Sequence, residues 1–486
     1  MKVTDLNPNA LWSIFYDITQ IPRPSHHLVE ITKYVVEFGN KLGLKTQVDE
    51  AGNVLICKPA TAGMENRKKV VLQAHLDMVP QKNSDIDHDF AKDPLKVFVD
   101  GDWVKATHTT LGSDNGIGLS SILAVLQADN LKHGAIEALF TADEETGMFG
   151  AFGLKPGFIS GEILINTDSE DEGELFVGCA GGIDLSATFR YKDVEEIPEG
   201  DVAIKLSLTG LKGGHSGVDI HLGRGNANRL MFRFLKIAVA EFEARLAWAN
   251  GGTLRNAIPR EAFAVVTIPN QLKAELLEAV NEIEEVYRRE NSEMEPTLSF
   301  KAEETDLPKS LIPEEIQDDL INSIVGTRNG VARMISSLPG VVETSSNLAI
   351  VTTTDGEAKV QILLRSSSES MKDALASSIE SVFSLAGAKV ELSGSYPGWQ
   401  PNMDSPILAV MKSGYQQLFG VEPKINVIHA GLECGIIGAV YPGMDMISFG
   451  PTIRFPHSPD EKVNIPSVQK YWDYLLSVLE NIPVKN

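Results

Sequence analysis

Three short apolar runs, VVLQAH (70–75), IEALFT (136–141) and ILINTD (163–168), each end in a polar residue. Such continuous runs read as strands buried on both faces. Between the first two lies GIGLSSILAVLQADNL, whose apolar positions 117, 119, 122, 123, 125 and 126 suit a helix. Buried strands alternating with helices predict an α/β domain with a largely parallel sheet and helices on both faces.

Ligands of an open α/β sheet collect beyond the carboxyl ends of its strands. His75 and Asp77 in VVLQAHLDMVP, Glu144 and Glu145 in LFTADEETG, and Asp168 in ILINTD fall at or just past such ends. Asp114 in LGSDNGIG stands before a helix start, and His457 follows the predicted strand MDMISFGP by a short loop. Imidazole nitrogen and carboxylate oxygen suit Zn²⁺, and also Co²⁺ or Mn²⁺. Two such cations about 3.5–4 Å apart need a bridging carboxylate. The inventory divides accordingly: His75 and Asp168 for one cation, Glu145 and His457 for the other, Asp114 between them. Three ligand carboxylates against two dications leave a positive surplus that favours an activated water and a polarised carbonyl. Asp77 lies two residues past His75, on the same face of an extended chain, and can orient the imidazole. Glu144 is the adjacent carboxylate left to move a proton from water to a leaving amine. Each motif alone is weak, since Asp-Asn-Gly is a common turn and His-x-Asp a common polar pair. Their joint occurrence in this order carries the reading. His26, His27, His88, His108, His133 and His221 read as structural or surface residues.

A chain of 486 residues exceeds one ordinary core. The α/β character of residues 1–186 gives way to an inserted α+β domain over 187–397 and returns over 398–486. Within the insert, VAIKLSLTGL, ANRLMFRFLKIAVAEFEARL and LKAELLEAVNEIEEVYRRE precede a similar later order of strands and helix, ending in AKVELSG. This weak repeat predicts two halves, with the acidic, proline-containing stretch 290–315 as their joint. Hydrophobic content of 43% and charged content of 22% describe a soluble globular protein. No apolar run is long enough to span a membrane, and LWSIFYDI, broken by Asp17, reads as an amphipathic helix rather than a signal. Cys57, Cys179 and Cys434 are too few and too scattered for a disulfide framework, so a reducing cytoplasm is expected. A net charge of −23 argues against nucleic-acid and membrane partners.

The segments KPATAGMENRKKVVLQAHLDMVPQK, TTLGSDNGIG, LINTDSEDEGE, GCAGGID, LKGGHSG, GGTLRNAIPREAF, YPGWQPN, HAGLECG and GPTIRFPHSPDE resemble the M20 family of dinuclear zinc peptidases, and within it the dipeptidases. The resemblance covers nearly the whole chain. It implies a phosphorylase/hydrolase-like zinc-exopeptidase domain with a mostly parallel sheet, interrupted by a large α+β lid of two ferredoxin-like halves. It implies that His75, Asp114 and Asp168 hold one zinc and Asp114, Glu145 and His457 the other. Asp77 then supports His75, Glu144 is the general base, and the Asp114–Asn115 peptide is cis, a rare state without proline. From the lid, His215 in GGHSG would polarise the scissile carbonyl, Arg365 in ILLRS would pair with a substrate carboxylate, and Asn256 would hydrogen-bond nearby. Glu433 in HAGLECG would meet a substrate amino group. The activity implied is hydrolysis of unblocked dipeptides, carnosine-like Xaa-His dipeptides included, by a single chain or a homodimer. Two alternatives stand beside it. One is an N-acyl amino-acid deacylase of the same fold. The other is a non-catalytic metal-dependent binding protein, against which the presence of Glu144 argues.

Overall fold

The computed structural model describes residues 1–485, and no helix among them is long and apolar enough to cross a membrane. The chain divides into two compact units. One comprises Met1–Gly178, Trp399–Val427 and the chain from Leu432 onward; the other comprises Cys179–Gly398 and Ile428–Gly431.

The first unit is built on an eight-stranded sheet. Its order is Lys45–Val48, Val54–Lys58, Ile136–Thr141, Val70–His75, Ile163–Asn166, Asp445–Ser448, Glu174–Cys179, Lys424–Ile428. The four middle strands, from Ile136–Thr141 to Asp445–Ser448, run parallel and are almost wholly buried. Antiparallel pairs flank them, so the sheet is mixed rather than mostly parallel as expected. The reason is connection length. Val48 and Val54 are joined by a short turn that reverses the chain, whereas parallel neighbours need a long crossover. Helix Ser113–Gln127 is one such crossover, packed against strand Val70–His75 and helix Asn9–Thr19. It lies close to the chain after strand Ile163–Asn166 because position 118 is glycine. A Cβ there would stand 2.9 Å from the Thr167 carbonyl oxygen. A small antiparallel sheet of Ile453–Arg454, Lys462–Asn464, Trp103–Ala106 and Val97–Asp100 carries the 455–461 loop, and with it His457.

The second unit has an antiparallel sheet ordered Ser299–Thr305, Asp201–Thr209, Ala262–Pro269, Arg245–Gly251, Val342–Thr354, Glu357–Ser366, Gly181–Arg190, Lys389–Tyr396. Both halves are βαββαβ units of ferredoxin-like order 4-1-3-2, joined edge to edge through Arg245–Gly251 and Val342–Thr354. They are not successive. Strand Gly181–Arg190 opens one half, and the whole of the other half is inserted before that half continues with helix Glu314–Gly326. The stretch 290–315 is therefore no simple joint, because it supplies edge strand Ser299–Thr305. Likewise, a division after residue 186 would cut Gly181–Arg190, which pairs along its length with Glu357–Ser366. Leu206, Phe234, Phe300, Ile362 and Phe383 share one core between the sheet and its helices.

Candidate metal centre

Strand Val70–His75 ends on His75, which with Asp77 is 0% exposed. Nε2 of His75 lies 3.1 Å from Oδ1 of Asp114 and 3.3 Å from Oδ1 of Asp168. On the other side, Nε2 of His457 lies 3.2 Å from Oδ2 of Asp114 and 3.0 Å from Oε2 of Glu145. Asp114 thus turns one oxygen toward each imidazole. The peptide between Asp114 and Asn115 is cis, and both residues depart from helical backbone angles at the start of their helix. Asn115 Nδ2 donates to Asp168.

Asp77 joins these strand ends. Its Oδ1 stands 3.3 Å from Nδ1 of His75, in ion-pair reach though not aligned as a hydrogen bond. It also accepts the Glu144 amide at 3.0 Å, while Oδ2 accepts the Glu145 amide at 3.1 Å and the Ser25 hydroxyl at 2.8 Å. Burial works against ionisation here, but His75, Ser25 and the Glu144 amide outweigh it and bring the carboxyl down to about 2.

Three groupings of donor atoms lie close enough for a shared cation: His75, Asp114 and Asp168; Asp114, Glu145 and His457; and His75, Glu144 and Glu145. Burial foremost, then crowding by neighbouring carboxylates, raises the pKa of Glu144, Glu145 and Asp168. Burial alone would depress His75, yet Asp168, Asp114 and Asp77 raise it well above the ordinary imidazole value. Hydrogen bonds to Asp114 and Glu145 take His457 up to about 11. Glu145 Oε1 is buried and has no hydrogen-bond partner. Dications at the first two groupings would satisfy the carboxylate oxygens and free both rings to act as neutral donors.

Two framing residues escaped the sequence reading. Arg23, fully buried, donates to the carbonyls of Leu76 at 2.9 Å and Asp77 at 2.5 Å, and to that of Gly112. Glu461 receives the amides of the turn that precedes Asp114. Arg23 lies between two prolines with no charge pattern around it. Glu461 carried a signal only in its closeness to His457.

Glu433, expected to meet a substrate amino group, is buried and engaged by other side chains. It is 1% exposed, and its Oε2 accepts from Gln73 Nε2 at 2.6 Å and Thr141 Oγ1 at 2.8 Å. Gln73 in turn accepts from Asn166 at 2.5 Å, and Asn166 from Ser448 at 2.5 Å. These side chains form a buried polar network across the middle strands. Burial there pushes Glu433 up to about 8.

The remaining expected residues lie in the second unit. His215 sits on a short pairing with Ala257–Ile258. Its Nδ1 accepts the amides of Gly217 at 3.1 Å and Val218 at 3.0 Å, so in the neutral ring the proton is on Nε2. Burial, then Arg365, lowers its pKa to about 4. Arg365 is 5% exposed and donates to Tyr396 Oη at 2.9 Å and Ser216 Oγ at 3.3 Å. Among the described residues no carboxylate lies within ion-pair distance of it; the nearby Asp184 pairs with Arg255 instead, at 2.7 Å. The Asn256 carbonyl accepts the Ser216 amide at 2.8 Å and its side chain is exposed. His429, which the sequence did not single out, is buried with Nε2 2.7 Å from Ser345 Oγ.

A model of peptidase family M20/M25/M40 matches residues 71–481. The cytosol non-specific dipeptidase of Escherichia coli strain K12 is 50% identical over 484 residues, covering 100% of each chain. The crystal structure of the aminoacylhistidine dipeptidase of Vibrio alginolyticus is 49% identical, with a TM-score of 0.95, over 100% of this chain and 99% of that one. The aminopeptidase PepT of Bacillus cereus shares the fold alone, at 16% identity and a TM-score of 0.57 over 98% of this chain and 99% of its own. The family match runs from the strand that ends on His75 to the helix that follows His457, and the chain belongs to peptidase family M20/M25/M40.

Proposed function

We propose that the chain is a metal-dependent dipeptidase of the cytoplasm that hydrolyses unblocked dipeptides, Xaa-His dipeptides among them. The observation that carries this reading is Asp114, whose two oxygens face His75 and His457 at 3.1 and 3.2 Å. One cation would be held by His75, Asp114 and Asp168, the other by Asp114, Glu145 and His457. Zinc is the metal we assign, with Co²⁺ or Mn²⁺ as substitutes. When bound, such cations supply Lewis acidity and lower the pKa of water. The family membership and the full-length likeness to two dipeptidases support the reaction class.

The chain's own groups divide the remaining work. Asp77 fixes the His75 ring and, through its two amide contacts, the backbone of Glu144 and Glu145. Glu144 takes a proton from the attacking water and returns it to the departing amine nitrogen. We assign substrate recognition to the inserted unit. His215 offers Nε2–H to the carbonyl oxygen as it becomes anionic. Arg365 offers a guanidinium without a carboxylate partner to the substrate carboxylate. Asn256 assists it.

The test is hydrolysis of free against N-acetylated dipeptides, with metal analysis of the purified protein. Turnover of free dipeptides is expected. Turnover of the acetylated forms alone would overturn the reading in favour of a deacylase.

A further inference from the structure

Glu461 is 2% exposed, and both of its carboxylate oxygens are engaged by the turn that leads into Asp114. Oε2 accepts the amides of Leu111 at 2.7 Å and Gly112 at 2.9 Å. Oε1 accepts the Ser113 amide at 2.7 Å, the Ser113 hydroxyl at 2.6 Å and the Asp114 amide at 3.3 Å. Gly112, at φ 67°, takes the left-handed conformation that bends these amides toward one point. An amide side chain could not replace the carboxylate, because its NH₂ would face donors.

The other end of Glu461 is the loop that carries His457. Strands Ile453–Arg454 and Lys462–Asn464 pair antiparallel and hold the ends of this loop. Within it the Glu461 amide donates to the Ser458 carbonyl at 3.0 Å, and the Asp460 amide to Ser458 Oγ at 3.2 Å. His457 therefore stands one short, internally bonded turn from Glu461, and Asp114 stands inside the turn that Glu461 grips. The two imidazoles differ in what else holds them. The His75 side chain is 1% exposed at the end of a buried strand, whereas that of His457 is 53% exposed on a loop with φ 57°. Packing fixes the first ring. The second rides on a loop held at its ends by the paired strands and, next to its C-terminal strand, by Glu461.

We propose that Glu461 is a positioning residue that sets the His457 loop against Asp114 and so makes the second of the two cation sites. It never touches a cation or substrate. The inference rests on the two-cation reading above. Glu461→Gln is expected to leave the grouping of His75, Asp114 and Asp168 largely intact and to spoil that of Asp114, Glu145 and His457.

The test is stepwise titration of chelator-stripped full-length protein with Zn²⁺, followed by calorimetry, and with Co²⁺, followed by visible absorption. Two equivalents should bind wild type. In Glu461→Gln the first should bind as before, and the second at least tenfold more weakly, with its Co²⁺ band reduced. A merely structural residue would lower the melting temperature of the stripped protein without separating the two affinities. Equal affinities in variant and wild type, or equal weakening of both steps, would overturn the proposal. If Glu461→Gln does not fold, Glu461→Asp, which keeps the charge but shortens the reach, carries the same titration. A wild type that binds fewer than two equivalents overturns the two-cation reading itself, a result distinct from two equivalents held identically by both proteins.

Discussion

The carboxylate of Asp77 stands 3.3 Å from Nδ1 of His75, and the same oxygen accepts the amide of Glu144. One buried side chain therefore meets both the ring proposed to hold a cation and the backbone carrying the proposed base. Carboxylates behind a ligating histidine typically matter about 10–100-fold in metal affinity or activity. Asp77→Asn removes the charge and also turns an NH₂ toward one of the amides that Asp77 accepts. It is expected to reduce zinc affinity by about that factor and to lower kcat. Zinc binding and kcat equal to wild type would show that Asp77 serves only the fold.

Glu144 should behave oppositely. It follows Asp143, whose φ of 50° is left-handed, and that bend is where the chain turns off strand Ile136–Thr141. Two cation groupings that share Asp114 are complete without it. Glu144→Gln is thus expected to bind zinc with near wild-type stoichiometry while kcat for a free dipeptide falls by about 10²–10⁴ or more. Loss of zinc along with activity would instead make Glu144 a ligand.

Much of this site was legible because its signals are local. His75, Glu144, Glu145 and Asp168 follow strands whose continuous apolar runs declare burial and whose ends declare position. What escaped depends on contacts distant in sequence. Glu461 matters through partners such as Leu111, separated from it by 350 positions. Arg23 shows its place only through the three carbonyls that converge on it, of Leu76, Asp77 and Gly112. The burial of Glu433 depends on Gln73 and Thr141, which lie far from it in sequence. The interleaving of the two ferredoxin-like halves was hidden for the same reason. Element order is written in the sequence, but strand order is written in pairings such as Gly181–Arg190 with Glu357–Ser366.

Removing metal should cost stability. Asp114, Asp168, Glu144 and Glu145 converge with two imidazoles as their nearest counterweight, and burial makes their unrelieved charge unfavourable. A cation that binds only the folded state stabilises by roughly 2.7 kcal/mol at a free concentration 100 times its Kd. Chelation is expected to lower the melting temperature and added zinc to restore it. Superimposable melting curves with and without chelator would count against a formed metal centre.

Acid should weaken the second unit through His429. Burial, then Arg365, His215 and His221, lowers this imidazole from 6.5 to about 3, against the Val342 carbonyl. The unfolded chain therefore takes up a proton as pH falls below about 6.5 while the folded one does not. Stability is retained above that pH and lost progressively toward 3. The slope reaches at most about 1.4 kcal/mol per pH unit for one group. His429→Gln removes the titration and keeps a polar group for Ser345. Its urea midpoint should fall less than that of wild type between about pH 7 and about pH 4.5. Parallel declines in the two proteins would show that other groups govern the acid response.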